Sequence, residues 1–242
     1  MQIYSKMDIG RMRRSNQDAY HAEILPDGTA LAIVCDGMGG ANAGNVASEN
    51  AANEISDFIR RSWRKDLKSD AMLTLLQSAI RSANIIVYDM AKSDKSLEGM
   101  GTTVVAALIR DDIAVIAHVG DSRAYLKSGE EMQQLTRDHS VVQTLIESGK
   151  LTPEEARVHP RKNVITRALG TEENILADGC EVKLQSGDTL LLCTDGLTNF
   201  VETEEMLKVF GEYDIKDVAD IFAATANQNG GGDNITVVTV TV

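Results

Sequence analysis

Apolar residues recur along this chain with two different periods. Val46, Ala47, Ala51, Ile55, Ile59 and Trp63 fall at helical spacing, and so do Met72, Leu76, Ala79, Ala83, Val87 and Met90. Such spacing gathers each set on one face of a helix, which predicts two long amphipathic helices with their stripes against a sheet. Elsewhere the apolar residues run together. Leu31 to Cys35, Thr102 to Ile109, Ile113 to Val119, Thr189 to Cys193 and Ile235 to Val242 are short runs rich in aliphatic and β-branched residues, and a further strand is expected at Glu181 to Leu184. Runs of this kind read as buried strands. Arg110-Asp111-Asp112 predicts one hairpin turn, and Ser128-Gly129-Glu130 predicts another between Tyr125-Leu126-Lys127 and Met132 to Leu135.

Further helices are expected at Val141 to Ser148, closed by Gly149, at about Glu204 to Phe210, and at Val218 to Asn227. Thr152-Pro153-Glu154-Glu155 starts one more, with Thr as cap, Pro in the first turn and Glu155 completing a capping box. Strands separated by pairs of helices, with hairpins among the strands, predict an α+β layered sandwich, since strictly alternating βαβ units are absent. No repeat or Pro/Ser-rich linker divides the sequence, so residues 1–242 read as one domain.

Four of the strand runs share a feature that changes the picture. Leu31 to Cys35 leads into Asp36-Gly37-Met38-Gly39-Gly40, and Ile113 to Val119 into Gly120-Asp121-Ser122-Arg123. Leu190 to Cys193 is followed by Asp195-Gly196, and Gly232-Asp233-Asn234 precedes Ile235. Each aspartate is expected where a strand meets a loop. Carboxylates gathered at strand ends repel one another unless a cation lies between them. An oxygen-only donor set suits Mg2+ or Mn2+, whereas zinc would call for His-x-x-x-His or Cys-x-x-Cys pairs that are not present. Gly37, with no Cβ, leaves its carbonyl free to turn toward a cation held by Asp36.

Composition narrows the classes. The chain has 242 residues, 43% hydrophobic and 25% charged, as an ordinary globular protein does. Its formal net charge of -12 argues against a nucleic-acid partner, which usually needs a basic face. No stretch approaches the ~18 apolar residues of a membrane span, and the first residues lack the pattern of a signal peptide, so a cytoplasmic location is expected. Cys35, Cys180 and Cys193 are odd in number and lie within strand runs, which predicts reduced thiols. Against this acidic background, Arg11, Arg13 and Arg14 crowd one short segment that also holds Asp18. A guanidinium can grip two oxygens of a phosphate, so the segment reads as the phosphate-holding half of a phosphatase site, with Asp18 ordering a water beside the cations.

Eight motifs then follow in order: Arg13-x-x-Asn16-Gln17-Asp18, Asp36-Gly37-Met38-Gly39-Gly40, Gly101-Thr102-Thr103, Gly120-Asp121-Ser122-Arg123, Asp138-His139-Ser140, Arg167-Ala168-Leu169-Gly170, Asp195-Gly196-Leu197 and Gly232-Asp233-Asn234-Ile235-Thr236. Over essentially its whole length the chain resembles the metal-dependent type 2C protein Ser/Thr phosphatases, in particular their short bacterial members. The resemblance implies a four-layer αββα sandwich, two antiparallel sheets flanked by helix pairs, with two Mn2+ or Mg2+ ions at one edge. Asp36 would bridge the ions, the Gly37 carbonyl would bind one, Asp195 and Asp233 would complete the other, and Asp18 would act through water. Arg13 matches the phosphate-gripping arginine, and Asp121 with Asp195 matches a weaker third cation site. Residues 141–162 match a flap beside the cleft.

The implied reaction is hydrolysis of phosphoserine and phosphothreonine monoesters. Two cations ~3.5–4 Å apart would lower the pKa of a shared water and present it in line with the ester, with no phosphoenzyme. Many eukaryotic members carry His where this chain has Met38, and a thioether donates no proton. His118 is expected to pack within its strand, and His139 to order a loop. Cysteine-based phosphatase chemistry fails, because Ala41, Ser186 and Asn199 stand six residues after the three cysteines, where an arginine would be needed. No Gly-x-x-x-x-Gly-Lys-Ser/Thr loop suggests a nucleotide hydrolase. The rival from another class is a catalytically silent scaffold that binds phosphoproteins. The implied partners are phosphorylated proteins, a Ser/Thr kinase and its targets, around a monomer with no nucleic-acid or membrane partner.

Overall fold

The aliphatic runs are unbroken because their strands are covered on both faces. In β3 (Ala30–Met38), Leu31, Ile33 and Cys35 point one way and Ala30, Ala32 and Val34 the other, and all six are fully buried. A computed structural model describes residues 1–40 and 43–242. Its strands form two antiparallel sheets. The first has the order β1 (Gln2–Asp8), β11 (Ile235–Thr241), β10 (Thr189–Cys193), β7 (Arg123–Ser128) and β8 (Glu131–Gln134). The second runs β2 (Asp18–Ile24), β3, β5 (Val104–Arg110), β6 (Ile113–Val119) and β9 (Asp178–Lys183), with β4 (Gly101–Thr102) beside the end of β3.

Between the sheets, small residues of one face meet branched residues of the other: Ala30, Ala32, Val34 and Ala107 against Leu190, Leu192, Val238 and Val240. The outer face of the second sheet is covered by α1 (Gly44–Ser62) and α2 (Ser69–Ser93), whose Ile55, Ile59, Leu76 and Ile80 pack with Leu31, Ile33 and Leu108. The first sheet is covered by α6 (Thr203–Glu212) and α7 (Ile215–Gln228), through Met206, Val218 and Phe222 against Leu191 and Val237. These are the four layers that the sequence led us to expect. Shorter helices α3 (Val141–Glu147) and α4 (Pro153–Arg157) lie between β8 and β9, and α4 opens with the expected capping box of Thr152 and Glu155. The hairpin between β5 and β6 turns on Asp111, whose φ of 54° is what a two-residue loop requires.

Two strands are added and two expectations corrected. β1 and β2 were not legible, because each is the edge strand of its sheet and carries polar, half-exposed positions rather than an apolar run. Asp36 does not stand at a strand end: β3 continues through it to Met38, held by pairing of Gly37 with Thr102 and Met38 with Gly101. The run from Thr102 is two strands rather than one, since Thr102 pairs with Gly37 and Leu169 while Val104 begins the ladder with Val119.

Phe222 is fully buried and meets Phe210 edge to face at 5.3 Å between ring centroids. Phe222→Ala is expected to cost about 3–5 kcal/mol, transfer and cavity terms together. Urea unfolding checks it, and a midpoint unchanged from the parent would refute this account of the outer core.

Candidate active site

The register of the second sheet sets Asp18 directly opposite Asp36 on the neighbouring strand. Like charges in that position are unfavourable, so something must offset them. The first sheet brings its own aspartates to the same edge. β10 pairs with both β7 and β11, placing Arg123 and Val237 beside Cys193. Asp121 precedes β7, Asp195 opens the short helix α5 (Asp195–Thr198) after β10, and Asp233 precedes β11. Asp18, Asp36, Asp121, Asp195 and Asp233 thus gather where the two sheets meet.

Neutral groups that the sequence did not flag hold this edge together. Thr194 Oγ1 and Thr236 Oγ1 donate to Asp18 Oδ2 at 3.0 and 2.7 Å, tying one sheet to the other. Thr102 Oγ1 donates to the Asp36 carbonyl at 2.9 Å, and the Asp36 N–H donates to Thr103 Oγ1 at 3.0 Å. Asn234 Nδ2 donates to the carbonyls of Ile9 and Ser15 (2.9 and 3.1 Å), and its Oδ1 accepts from the Gln17 N–H (2.8 Å). The arginine loop is therefore pinned from within the Asp233-Asn234 motif. Thr102, Thr103, Asn234 and Thr236 stood inside recognised motifs without a role, and Thr194 gave no signal at all. Gly37 and Gly196 mark backbone against backbone: a Cβ would meet Gly44 O at 2.1 Å in the first case and Asn234 O at 1.8 Å in the second.

Arg13 Nη2 donates to Asp233 Oδ2 at 2.7 Å, and the Arg13 side chain is 49% exposed. Among the described residues this is its one side-chain bond, so the rest of the guanidinium faces solvent. Arg11 and Arg14 are exposed. Burial is the leading cause that pushes Asp18 up to about 7, with Asp195 and Asp233 adding to it against the two threonine hydroxyls. Burial likewise raises Asp121 to about 8, ahead of Asp195 and Asp138. Asp36 is raised well above the usual carboxylate range by burial and then by Asp18, Asp195, Asp121 and Asp233. Asp195 is raised by burial and then by Asp233, partly relieved by the Asn199 amide, whose Nδ2 donates to Asp195 Oδ2 at 2.8 Å.

Two carboxylate oxygens, Asp18 Oδ1 and Asp195 Oδ1, are buried with no hydrogen-bond partner. Orphaned anionic oxygens in an oxygen-only donor set fit a hard divalent cation. Among the described residues, no group of three or more His, Cys, Asp or Glu side chains stands placed to hold a metal ion.

A cavity of about 660 Å³ opens from Asp121 and Asp195 beneath α3 and α4. The segment carrying these helices is pinched at its base, where Ser140 pairs with Ile165 and the Thr166 N–H donates to the His139 carbonyl at 2.8 Å. His139 is buried there and stacks on His118 at 4.7 Å. Its Nδ1 accepts from the Gly120 N–H at 3.1 Å, which leaves the ring proton on Nε2, 3.2 Å from Asp178 Oδ2. His118 packs within β6 and His139 orders the loop, as expected. Cys35 and Cys193 are buried and Cys180 partly so, all three free.

Carboxylates from two stacked sheets meeting beside an arginine loop are an arrangement suited to cation-assisted phosphoryl chemistry. The chain belongs to the protein phosphatase 2C family, whose description matches residues 11–230. It is 44% identical over 241 residues to a serine/threonine phosphatase of Listeria innocua, covering 97% of this chain and 93% of that one. The crystal structure of the phosphatase Stp1 from Staphylococcus aureus superposes with a TM-score of 0.93 at 35% identity, covering 100% of this chain and 94% of that one. The catalytic domain of the phosphatase PstP, solved in complex with 2 manganese ions, gives 0.86 at 33% identity, over 98% and 96% of the two chains.

The raised carboxyls have a measurable consequence. Each binds its proton more tightly folded than unfolded, so the folded chain holds extra protons from the ordinary carboxylate range near pH ~4 up to about 8. Stability of the chelator-treated protein is therefore expected to fall as pH rises through that window. Thermal melts at about pH 5 and about pH 8 check the sign, and Asp18→Asn should flatten the slope. A melting temperature that climbs steadily across the window would contradict the assignment.

Proposed function

We propose that this chain is a metal-dependent protein serine/threonine phosphatase that hydrolyses phosphoserine and phosphothreonine monoesters. Residues 1–242 act as one catalytic domain, with residues 141–162 as a flap over the cavity. The observation that carries the reading is the acidic edge itself: buried carboxylates from both sheets, two of their oxygens unpartnered, beside a half-exposed Arg13. Asp36, the Gly37 carbonyl, Asp195 and Asp233 would hold two core ions, Mn2+ or Mg2+. Asp18 would act on them through water, and Asp121 with Asp195 would hold a third, outer ion. When bound, such cations lower the pKa of water and offset charge on phosphoryl oxygens.

The chain's own residues do the rest. Thr194 and Thr236 fix the Asp18 carboxylate, and the Thr102-Thr103 segment fixes the Asp36 backbone, so the strand that carries Asp36 is held in place. Asn234 fixes the loop that presents Arg13, which neutralises phosphoryl oxygens and orients the ester. Met38 offers no proton, so the leaving alkoxide takes its proton from a donor other than this side chain. Names borne by the relatives support phosphoproteins as substrates, and a partner Ser/Thr kinase acting on the same targets is part of the reading. We place the enzyme in the cytoplasm as a monomer. No helix among the described residues is long and apolar enough to cross a membrane.

Phosphate release from phosphothreonine peptides should require Mn2+ and stop with chelator. Protein that stays inert at saturating Mn2+ would favour the silent scaffold. Asp195→Ala and Asp233→Ala are each expected to lower kcat roughly 10²-fold or more, with little change in the chelator-treated melting temperature. Arg13→Ala should raise KM about tenfold through loss of a charge-assisted phosphate contact. If KM does not move, phosphate is gripped by another arginine.

A further inference from the structure

Asp138 lines the same cavity as Asp121 and Asp195, and it takes no part in the edge. Yet both of its oxygens are engaged. Arg123 Nε donates to Oδ1 at 2.9 Å and to Oδ2 at 3.1 Å, Arg123 Nη2 donates to Oδ2 at 2.7 Å, and Gln134 Nε2 donates to Oδ1 at 3.0 Å. The remaining arm, Arg123 Nη1, donates to the Tyr125 hydroxyl at 3.0 Å. Side-chain exposure is 29% for Arg123 and 10% for Asp138, so the pair is largely shielded from solvent.

The strand register builds this clamp. Arg123 is the first residue of β7, and β7 sets Tyr125 opposite Gln134 of β8. Beyond that pair the chain is fixed by the Leu135 N–H on the Ala124 carbonyl (2.8 Å) and the Ala124 N–H on Thr136 Oγ1 (3.1 Å). Asp138 therefore arrives at Arg123 in the fork-to-fork geometry that binds a carboxylate most firmly. Two residues before Arg123 in sequence stands Asp121, which lines the same cavity.

A released Asp138 would be a further carboxylate for any cation held by Asp121 and Asp195, and affinity for a hard cation climbs with the number of charged ligands. We propose that Arg123 is a positioning residue of the cation edge: by holding both oxygens of Asp138, it keeps that carboxylate out of ligation and the outer cation weakly bound and exchangeable. This rests on the reading of Asp121 as an outer cation ligand. A pair that merely propped β7 against the cavity wall would have no such effect on cation affinity.

The two partners then act in opposite directions. Arg123→Met keeps the aliphatic stem, frees Asp138, and should tighten outer-site Mn2+ about tenfold. Asp138→Asn leaves an uncompensated guanidinium near Asp121 and should weaken the same site about tenfold. The double variant should return close to the parent. Mn2+ binding counted by electron spin resonance of the free ion reads all three, and the parent with Asp121→Asn identifies which bound ion is the outer one. Arg123→Lys, which keeps the charge but loses the fork, covers the case in which Arg123→Met fails to fold; it should tighten the site by a smaller factor. Opposite shifts support the clamp. Loss of affinity in both single variants, or no shift in either, overturns it while leaving the outer ion standing. If Asp121→Asn removes no Mn2+ from the parent, the outer-ion reading falls first and the clamp with it.

Discussion

The rest of this molecule is arranged around a repulsion. Asp18 and Asp36 face each other across one ladder, and Asp195 and Asp233 close on them from the other sheet. In the poorly hydrated seam between two sheets, charges this close favour either shared protons or a cation. Nearly every polar contact at the edge answers that problem. Threonine hydroxyls from β11 and from the residue ahead of α5 fall on Asp18, a guanidinium falls on Asp233, and a second guanidinium neutralises Asp138 one step further out. The hydrophobic layers supply the stiffness. Two sheets, each sealed on both faces, prevent the strand ends from drifting apart to relieve their charge.

The sequence reading succeeded where burial leaves a signature. The central strands are aliphatic throughout because two cores claim them, and α1, α2, α6 and α7 show a stripe because one core does. Edge strands leave none. β1 and β2 have one neighbour each and a solvent-facing side, so their residues alternate weakly and look like loop. The candidate site was legible for the same kind of reason. Aspartate beside glycine is conspicuous next to an aliphatic run, whereas a buried threonine is not. Thr194 and Thr236 are fully buried within or beside strands rich in β-branched residues, where threonine is ordinary. Only the register between β10 and β11 shows that their hydroxyls meet on one carboxylate. The end of β3 was misplaced for a related cause: the Asp-Gly pair reads as a turn, yet a two-residue partner strand from a distant segment keeps it extended.

Belonging to the protein phosphatase 2C family gives these local facts a common purpose, and the physical description explains how little of the chain touches the chemistry. The reactive edge is a seam a few residues wide. Its precision comes from close backbone approach at Gly37 and Gly196, where there is no room even for a methyl group. Positions of that kind fix distance between elements rather than contribute a side chain, which is why they coincide with the aspartates they space.

The pinch between Ser140 and Ile165 has a consequence of a different order. Ser140 and Ile165 are already joined by a β-bridge, so the segment between them leaves and re-enters the body at one place. The entropy of closing such an excursion depends only weakly on its length. Sequence there can lengthen, shorten or be exchanged wholesale while the sandwich beneath keeps its register. The segment between Ser140 and Ile165 is thus a cassette, set into the sandwich through a single narrow neck.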